Sequence, residues 1–583
     1  MSENESKHLD TRKEREKALA AERRRILGLP PEKALDAILE HPLPVSLVQS
    51  MAEEDLYVLV HTIGPDDALP VLGLASNEQW EYLLDMEVWV RDRIDPLAMT
   101  QWLDRLLKAD PDRFTHWIVN EQRDPFEYYL FRNIELKVRE YEQDPAEMGE
   151  GFYSEDDVHY IRLRPYPAVG EDQVHPQQEA RDHFLNDLLR RLAVYDFPLY
   201  QGLLLESSTM IPAEAEEELL RLRNVRLAER GFLPFEEAVG IYQPLTLDEL
   251  LSRRKPAAPA GRNVESYPLP FDAAVLPEEA NLFARTLAQI KDEPALQRLQ
   301  SEFAGLCNQV IAADQRQIKE KAALTPVVAK VAGYLGIGLA HAEAAAGEQD
   351  PYRAVHLLQN CLLADIFRVG YGQALALKWR AERWRSESWF TRAGLPLSFW
   401  GEAWLGALGG LLVKRPLYYD NYASGVLYRE FATLEEIQRT EGVLAEIMAM
   451  DDLLALMGAH PPVEKSSTFL TCQNLLLTLW ADHQLGLDSD PQTPLPLSVR
   501  QLRLFFEALW ERKGERRRIR DSLRAAFLAW LAERSGLTPG AIGQRLGVTL
   551  HGLFDQVENE LGGVAARDLD PRFVQLFLLH SEA

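Results

Sequence analysis

The sequence predicts a mainly α protein: a solenoid-like stack of short helices at the N-terminus, followed by larger helical domains. Three observations carry this reading. Asp-Pro pairs recur at near-even spacing, apolar residues recur at helical spacing, and 46% hydrophobic with 26% charged residues is an ordinary globular balance that supplies a large core. The 583 residues include 63 Lys and Arg against 90 Asp and Glu, a formal net charge of −27. An acidic surface repels phosphate backbones unless basic residues gather locally, so general nucleic-acid binding is disfavoured.

Residues 1–28 form a charged N-terminal helix in this reading, without the apolar stretch that a secretory signal needs. Residues 29–142 form a helical-repeat domain. Asp95-Pro96, Asp110-Pro111 and Asp124-Pro125 each read as an Asp N-cap followed by Pro at the first helical position. After the first, Met99, Trp102, Leu103, Leu106 and Leu107 make one apolar stripe. Upstream, Leu56, Leu59, Val60 and Ile63 form a stripe that Gly64-Pro65 stops, and Ser76 with Gln79 forms a capping box before Trp80, Leu83 and Leu84. Short helices of this kind cannot bury their stripes alone, which predicts that they stack.

The runs Glu53-Glu54-Asp55-Leu56 to Leu59 and Asn77-Glu78-Gln79-Trp80 to Leu83-Leu84 resemble the superhelical cytosolic domain of bacterial magnesium transporters and flagellar motor-switch proteins. The resemblance covers about a fifth of the chain and implies a superhelical stack. The transporters' membrane helices have no counterpart in it, and no magnesium role is implied. Over its whole length the chain is similar to an uncharacterised bacterial family, a domain of unknown function. This rests on Leu83-Leu84-Asp85-Met86-Glu87-Val88-Trp89, on Arg226-Leu227-Ala228-Glu229-Arg230-Gly231-Phe232, and on Phe367-Arg368-Val369-Gly370-Tyr371-Gly372 with Trp379, Ala381, Arg383 and Trp384. That resemblance implies one whole protein and supplies neither activity nor site.

Residues 143–178 read as an irregular acidic connection containing a short strand, His159 to Leu163. Helical spacing resumes over 179–251. The Pro-rich stretch 252–270 reads as the main interdomain linker, 271–487 as a helical domain rich in Trp and Tyr, and 488–583 as a C-terminal helical unit set off by Pro491, Pro494 and Pro496. Cys307, Cys361 and Cys472 lie far apart, which excludes a disulfide framework and a four-cysteine zinc site and places the chain in a reducing cytoplasm. The 16-residue uncharged run Ser466 to Ala481 is too short and too polar for a bilayer, so no membrane insertion is expected.

The search for chemistry returns no assembled constellation. No two of the 13 histidines have helical metal spacing, and the neighbours Glu179 with His183, Asp112 with His116, and Glu155, Asp156 and Asp157 with His159 fit solvated or capping roles better. The sequence has no P-loop, no dinucleotide fingerprint and no nucleophile elbow, so it names no catalytic residue, metal or cofactor. Gly333, Gly336 and Gly338 read as sites of close helix packing rather than as a phosphate cradle. Ser252 to Lys255 matches the SxxK spacing but falls in the linker, and His356 cannot face Cys361 along a helix.

Three segments offer binding surfaces. Trp379, Arg380, Arg383, Trp384 and Arg385 have the composition of a ligand or partner surface, though inward-packed tryptophans with surface arginines explain them better. Arg512 to Arg524 is a basic run that suits a solvated face or an acidic partner. Thr538-Pro539 to Leu546 and Thr549 to Leu561 outline a helix-turn-helix, but Asp555, Glu558 and Glu560 on the second helix give the wrong charge for DNA. The leading expectation is a non-catalytic cytoplasmic scaffold that binds a protein partner through its helical repeats. The alternatives are a ligand-binding protein or enzyme with an aromatic and Arg-lined pocket within 351–428, and nucleic-acid binding through 512–561.

Overall fold

The computed structural model describes residues 18–166 apart from 24, 177–253 apart from 230 and 231, 281–346 apart from 320, 352–461, 469–487, 492–511 and 517–580. Most of the charged N-terminal segment, the Pro-rich stretch from 254 onward, Lys255, Pro491 and residues 512–516 of the basic run lie outside the described residues. The protein is mainly α, and the chain divides into two compact units. The described residues up to 241 with 292–331 form the first; 242–253, 281–291 and 332–580 form the second.

In the first unit the helices include α1 (Pro31–Leu39), α2 (Pro44–Gln49), α3 (Glu53–Ile63), α4 (Leu69–Leu74), α5 (Asn77–Glu87), α6 (Pro96–Ala109), α7 (Pro111–Asn120), α8 (Arg123–Asn133), α9 (Gln178–Tyr195), α10 (Phe197–Thr209), α11 (Pro212–Glu229) and α12 (Glu293–Asp314). Local signals set their ends. The Ser76 capping box closes on Gln79, and Asp95 accepts from the Leu97 and Ala98 amides to start α6. Asp110 accepts from Arg113 to start α7, and α3 stops at Gly64, whose φ of 107° suits only glycine. Each side-chain cap contributes about 1 kcal/mol. Asp124 corrects the reading above: α8 begins at Arg123 with Gln122 as its N-cap, so Asp124 sits inside the first turn and caps nothing. It still opposes the helix dipole favourably.

Helix α7 packs against both of its chain neighbours, α6 and α8, and its stripe meets Trp80, whose ring lies 5.3 Å from Trp117 and whose Nε1 donates to the Leu72 carbonyl. Directly after α5 comes a hairpin of β1 (Trp89–Val90) and β2 (Arg93–Ile94). A second pairs β3 (Ile134–Val138) with the expected strand β4 (His159–Leu163), antiparallel, Ile134 opposite Leu163.

The helices of the second unit include α13 (Leu324–Ala346, from Ala332 onward), α14 (Leu363–Glu387), α15 (Glu402–Leu412), α16 (Leu434–Leu456), α17 (Cys472–Leu485), α18 (Val499–Leu509), α19 (Asp521–Ser535) and α20 (Pro539–Leu561). Two glycines face one another where α13 crosses α14: a Cβ on Gly338 would overlap the Ile366 carbonyl, and one on Gly370 would overlap the Tyr334 carbonyl. Among the described residues α13 is long and apolar enough to cross a membrane, and 67% of its most apolar window is buried. Where a helix-turn-helix was expected the structure has one continuous helix, α20. Gly547 is accommodated in mid-helix at the usual cost of about 1 kcal/mol. The Thr549 hydroxyl donates to Glu446 at 2.9 Å instead of capping a new start.

Candidate functional site

In the first unit, three stretches distant in sequence wall a cleft of about 470 Å³. One is the end of α5 with the β1–β2 turn, contributing Met86, Trp89, Val90 and Arg91. The second is α11 with the residues after it, contributing Arg223, Asn224, Leu227, Phe232, Leu233, Pro234 and Phe235. The third is the end of α12, contributing Ile311, Ala312, Gln315, Arg316 and Gln317.

The arginines arrive by different routes. Val90 pairs with Arg93, so Arg91 and Asp92 form a two-residue turn, and Arg91 takes the left-handed φ of 62°. Arg223 stands one helical turn before Arg226 on α11. Its Nε donates to the Asp85 carbonyl at 2.7 Å, and its guanidinium lies 5.5 Å from the Trp89 ring. Arg316 follows Gln315, whose left-handed φ of 51° ends α12, and its Nε lies 3.7 Å from Asp314.

Beneath Arg223 is an ion pair. Asp85, 3% exposed, receives both Nε and Nη2 of Arg226 at 2.8 and 2.7 Å. Burial raises the Asp85 carboxyl above its ordinary value, and the Arg226 hydrogen bonds oppose this. Burial likewise lowers the Arg223 guanidinium, with Asp85 acting in the opposite sense. Asp85 therefore holds α11 to α5 through one side-chain fork and one main-chain acceptor, fixing the direction of Arg223.

On a protein of net charge −27, the described lining residues of this cleft include three arginines and no carboxylate. Trp89, Phe232 and Phe235 supply aromatic faces, and Asn224, Gln315 and Gln317 supply amides. One helical turn back from Ile311 on the same face of α12, Asn308 is buried with neither amide atom hydrogen-bonded among the described residues. Among the described residues the lining contains no histidine or cysteine; guanidinium forks suit an anion and flat apolar faces suit a ring.

The residues singled out from sequence fall elsewhere. Trp384 is in the core of the second unit: its ring lies 5.7 Å from Trp400 and its Nε1 donates to Asp451 at 3.3 Å. Trp389 is buried with it and donates to the Ala459 carbonyl. Trp379, Arg380, Arg383 and Arg385 are exposed, with Arg380 paired to Glu441 at 3.0 Å. Helix α14 thus separates Trp384 from the other four. Trp400 and Trp404 meet at 5.9 Å across Gly401, which joins two elements. In the 143–178 connection, Asp156 accepts from Ser154, the Val158 and His159 amides, the His159 ring and Gln201. These bonds outweigh its burial and hold it below the usual carboxylate range, and they occupy both oxygens in shaping a turn. Among the described residues no group of three or more His, Cys, Asp or Glu is arranged to hold a metal ion. Of the basic run, Arg524 is bound to Glu558 at 2.6 Å, and Arg517 and Arg520 donate to main-chain carbonyls.

No short motif marks the cleft, because its walls come from residues 86–91, 223–235 and 311–317. The available signal was indirect. Two of the three stretches that carry the whole-chain resemblance, Leu83 to Trp89 and Arg226 to Phe232, meet here through Asp85 and Arg226. Comparisons with curated proteins and with solved structures returned no match. A family model does match, over residues 11–580, and the chain belongs to that family, the Family of unknown function (DUF6178).

Proposed function

We propose that the protein binds a small anionic ligand with a flat apolar body in the cleft of its first unit. The observation that carries this is the lining of three arginines without a carboxylate on a strongly acidic protein. Local guanidinium groups reverse the sign of the field inside a concave site, where the low dielectric strengthens each contact. About 470 Å³ suits a ligand the size of a nucleotide or an acylated aromatic acid.

The test is calorimetric titration of the full chain with ADP, adenosine and pyrophosphate. ADP should bind with an affinity that falls as salt rises, and uncharged adenosine should bind at least tenfold more weakly. Arg223→Gln should lose about tenfold or more for ADP, as expected for one charge-assisted hydrogen-bonding group. Equal binding of adenosine and ADP, or an unchanged Arg223→Gln variant, removes the reading.

A second reading keeps the partner-protein expectation. At the corner between α9 and α10, Val194, Tyr195 and Phe197 are 89%, 48% and 42% exposed in succession. Exposed apolar side chains of this size, interrupted only by the capping Asp196, suit a protein contact. A stoichiometric protein should then co-purify with the chain from its own cells and be lost on Val194→Glu. Recovery of the bare chain under gentle conditions counts against this surface and leaves the cleft unaffected.

A further inference from the structure

A second cavity of the first unit, about 640 Å³, has a different chemistry. Its apolar wall is aliphatic: Ile26, Leu27 and Leu29 from the segment before α1, with Val58 and Leu59 from α3. Among the described residues its polar wall carries His61, Thr62 and Lys319 and no carboxylate.

The two basic residues meet one acid behind the wall. Glu87, at the end of α5, has its side chain 8% exposed. Its Oε1 accepts from the Tyr57 hydroxyl at 2.5 Å and lies 3.4 Å from His61 Nε2. Its Oε2 accepts from Trp102 Nε1 and from Lys319 Nζ, each at 3.2 Å. Burial works to raise the Glu87 carboxyl, but the hydrogen bonds from His61 and Tyr57 prevail and bring it down to about 2. The His61 ring is used at both nitrogens, since Nδ1 donates to the Tyr57 carbonyl at 2.9 Å.

Lys319 is placed differently. Its ammonium has three donors, one of which Glu87 takes, and its side chain is 45% exposed at the cavity. Glu87 thus fixes the position of a cation whose remaining donors are available at one end of an aliphatic groove. Aromatic faces, which dominate the other cleft, are missing from this lining apart from the His61 ring.

We propose that this cavity binds a medium-chain fatty acid, its carboxylate on Lys319 and its alkyl chain along Leu27, Leu29, Val58 and Leu59. A flexible chain fits an aliphatic wall, a single cation fits a monoanion, and the fixed Lys319 avoids the entropy of ordering a free lysine on binding.

The experiment is calorimetric titration of the full chain with octanoate, decanoate and dodecanoate below their self-association concentrations, and with dodecanol. Affinity should rise about fourfold per methylene, hence about 15-fold from decanoate to dodecanoate. Dodecanol should bind about tenfold more weakly than dodecanoate, and Lys319→Gln should erase that preference. Leu29→Glu places a like charge in the half-buried wall and should abolish dodecanoate binding with the unfolding temperature retained. Arg223→Gln, in the other cleft, should leave it unchanged. Affinity independent of chain length, equal binding of dodecanol, or full binding by Leu29→Glu overturns the proposal. Loss of dodecanoate in Arg223→Gln overturns it as well, by assigning the fatty acid to the arginine cleft.

Discussion

Gly370→Val is expected to destabilise the second unit by about 3 kcal/mol or more, lowering its unfolding temperature by about 10 °C. The cause is the backbone approach of α13 and α14. Around the crossing, Tyr334, Phe367 and Tyr371 enclose the helices with ring centroids 5.2 to 6.2 Å apart, so a displaced helix must carry this cluster with it. A Cβ on Gly370 meets a carbonyl and not the end of a flexible side chain, so relaxation requires the helices to separate. Gly336, on the opposing helix α13, is the control. An added Cβ there would lie 3.5 Å from the Asn281 side chain, an ordinary contact, and Gly336→Ala should be neutral or stabilising through its helix propensity. Scanning calorimetry of both variants checks the contrast. Gly370→Val within about 1 kcal/mol of the parent would show that the close approach does not constrain the fold.

The second large effect is expected at Asp85. Asp85→Ala should cost about 2–3 kcal/mol, because Arg226 loses both hydrogen bonds to a buried carboxylate and keeps only Glu81, 3.5 Å away. The ion pair itself need not be worth that much. Asp85→Leu combined with Arg226→Met should recover most of the loss, since two apolar residues remove both desolvation costs. Denaturant unfolding of the single and double variants measures the difference. A double variant as unstable as Asp85→Ala would mean that packing and not charge is at stake. Arg223 leans on the Asp85 carbonyl and not on its side chain, so ADP binding well below the unfolding transition should survive Asp85→Ala better than Arg223→Gln.

Helices were legible wherever a cap and a stripe agreed. Ser76, Asp95 and Asp110 supply both, and each helix begins where its cap stands. Asp124 failed because a cap is a competition among neighbours. With Gln122 in a non-helical conformation the helix starts two residues earlier, and the Asp-Pro pair falls inside it. Strand β3 was missed although Ile134, Leu136 and Val138 alternate with Glu135 and Lys137, a period of two hidden by the helical pattern before it. The break expected at Gly547-Val548 is absent: the helix runs on, and Glu446 on α16, about a hundred positions away, takes the Thr549 hydroxyl. Local rules cannot contain such a partner. The same limit hid the arginine cleft: Arg91, Arg223 and Arg316 are each unremarkable alone, and only the packing of α5, α11 and α12 gives them a common space.

Arg91 shows where heat resistance and binding would part company in the history of this chain. A two-residue hairpin turn with a left-handed position favours glycine or asparagine, and arginine there gives up about 1 kcal/mol of backbone energy. Selection acting on thermal survival alone would exchange it for glycine and so delete one of the three cations of the cleft. Lineages under demand for the ligand would keep the strained residue, and lineages released from that demand would drift away from it. Position 91 is thus a marker that separates the two pressures within one codon.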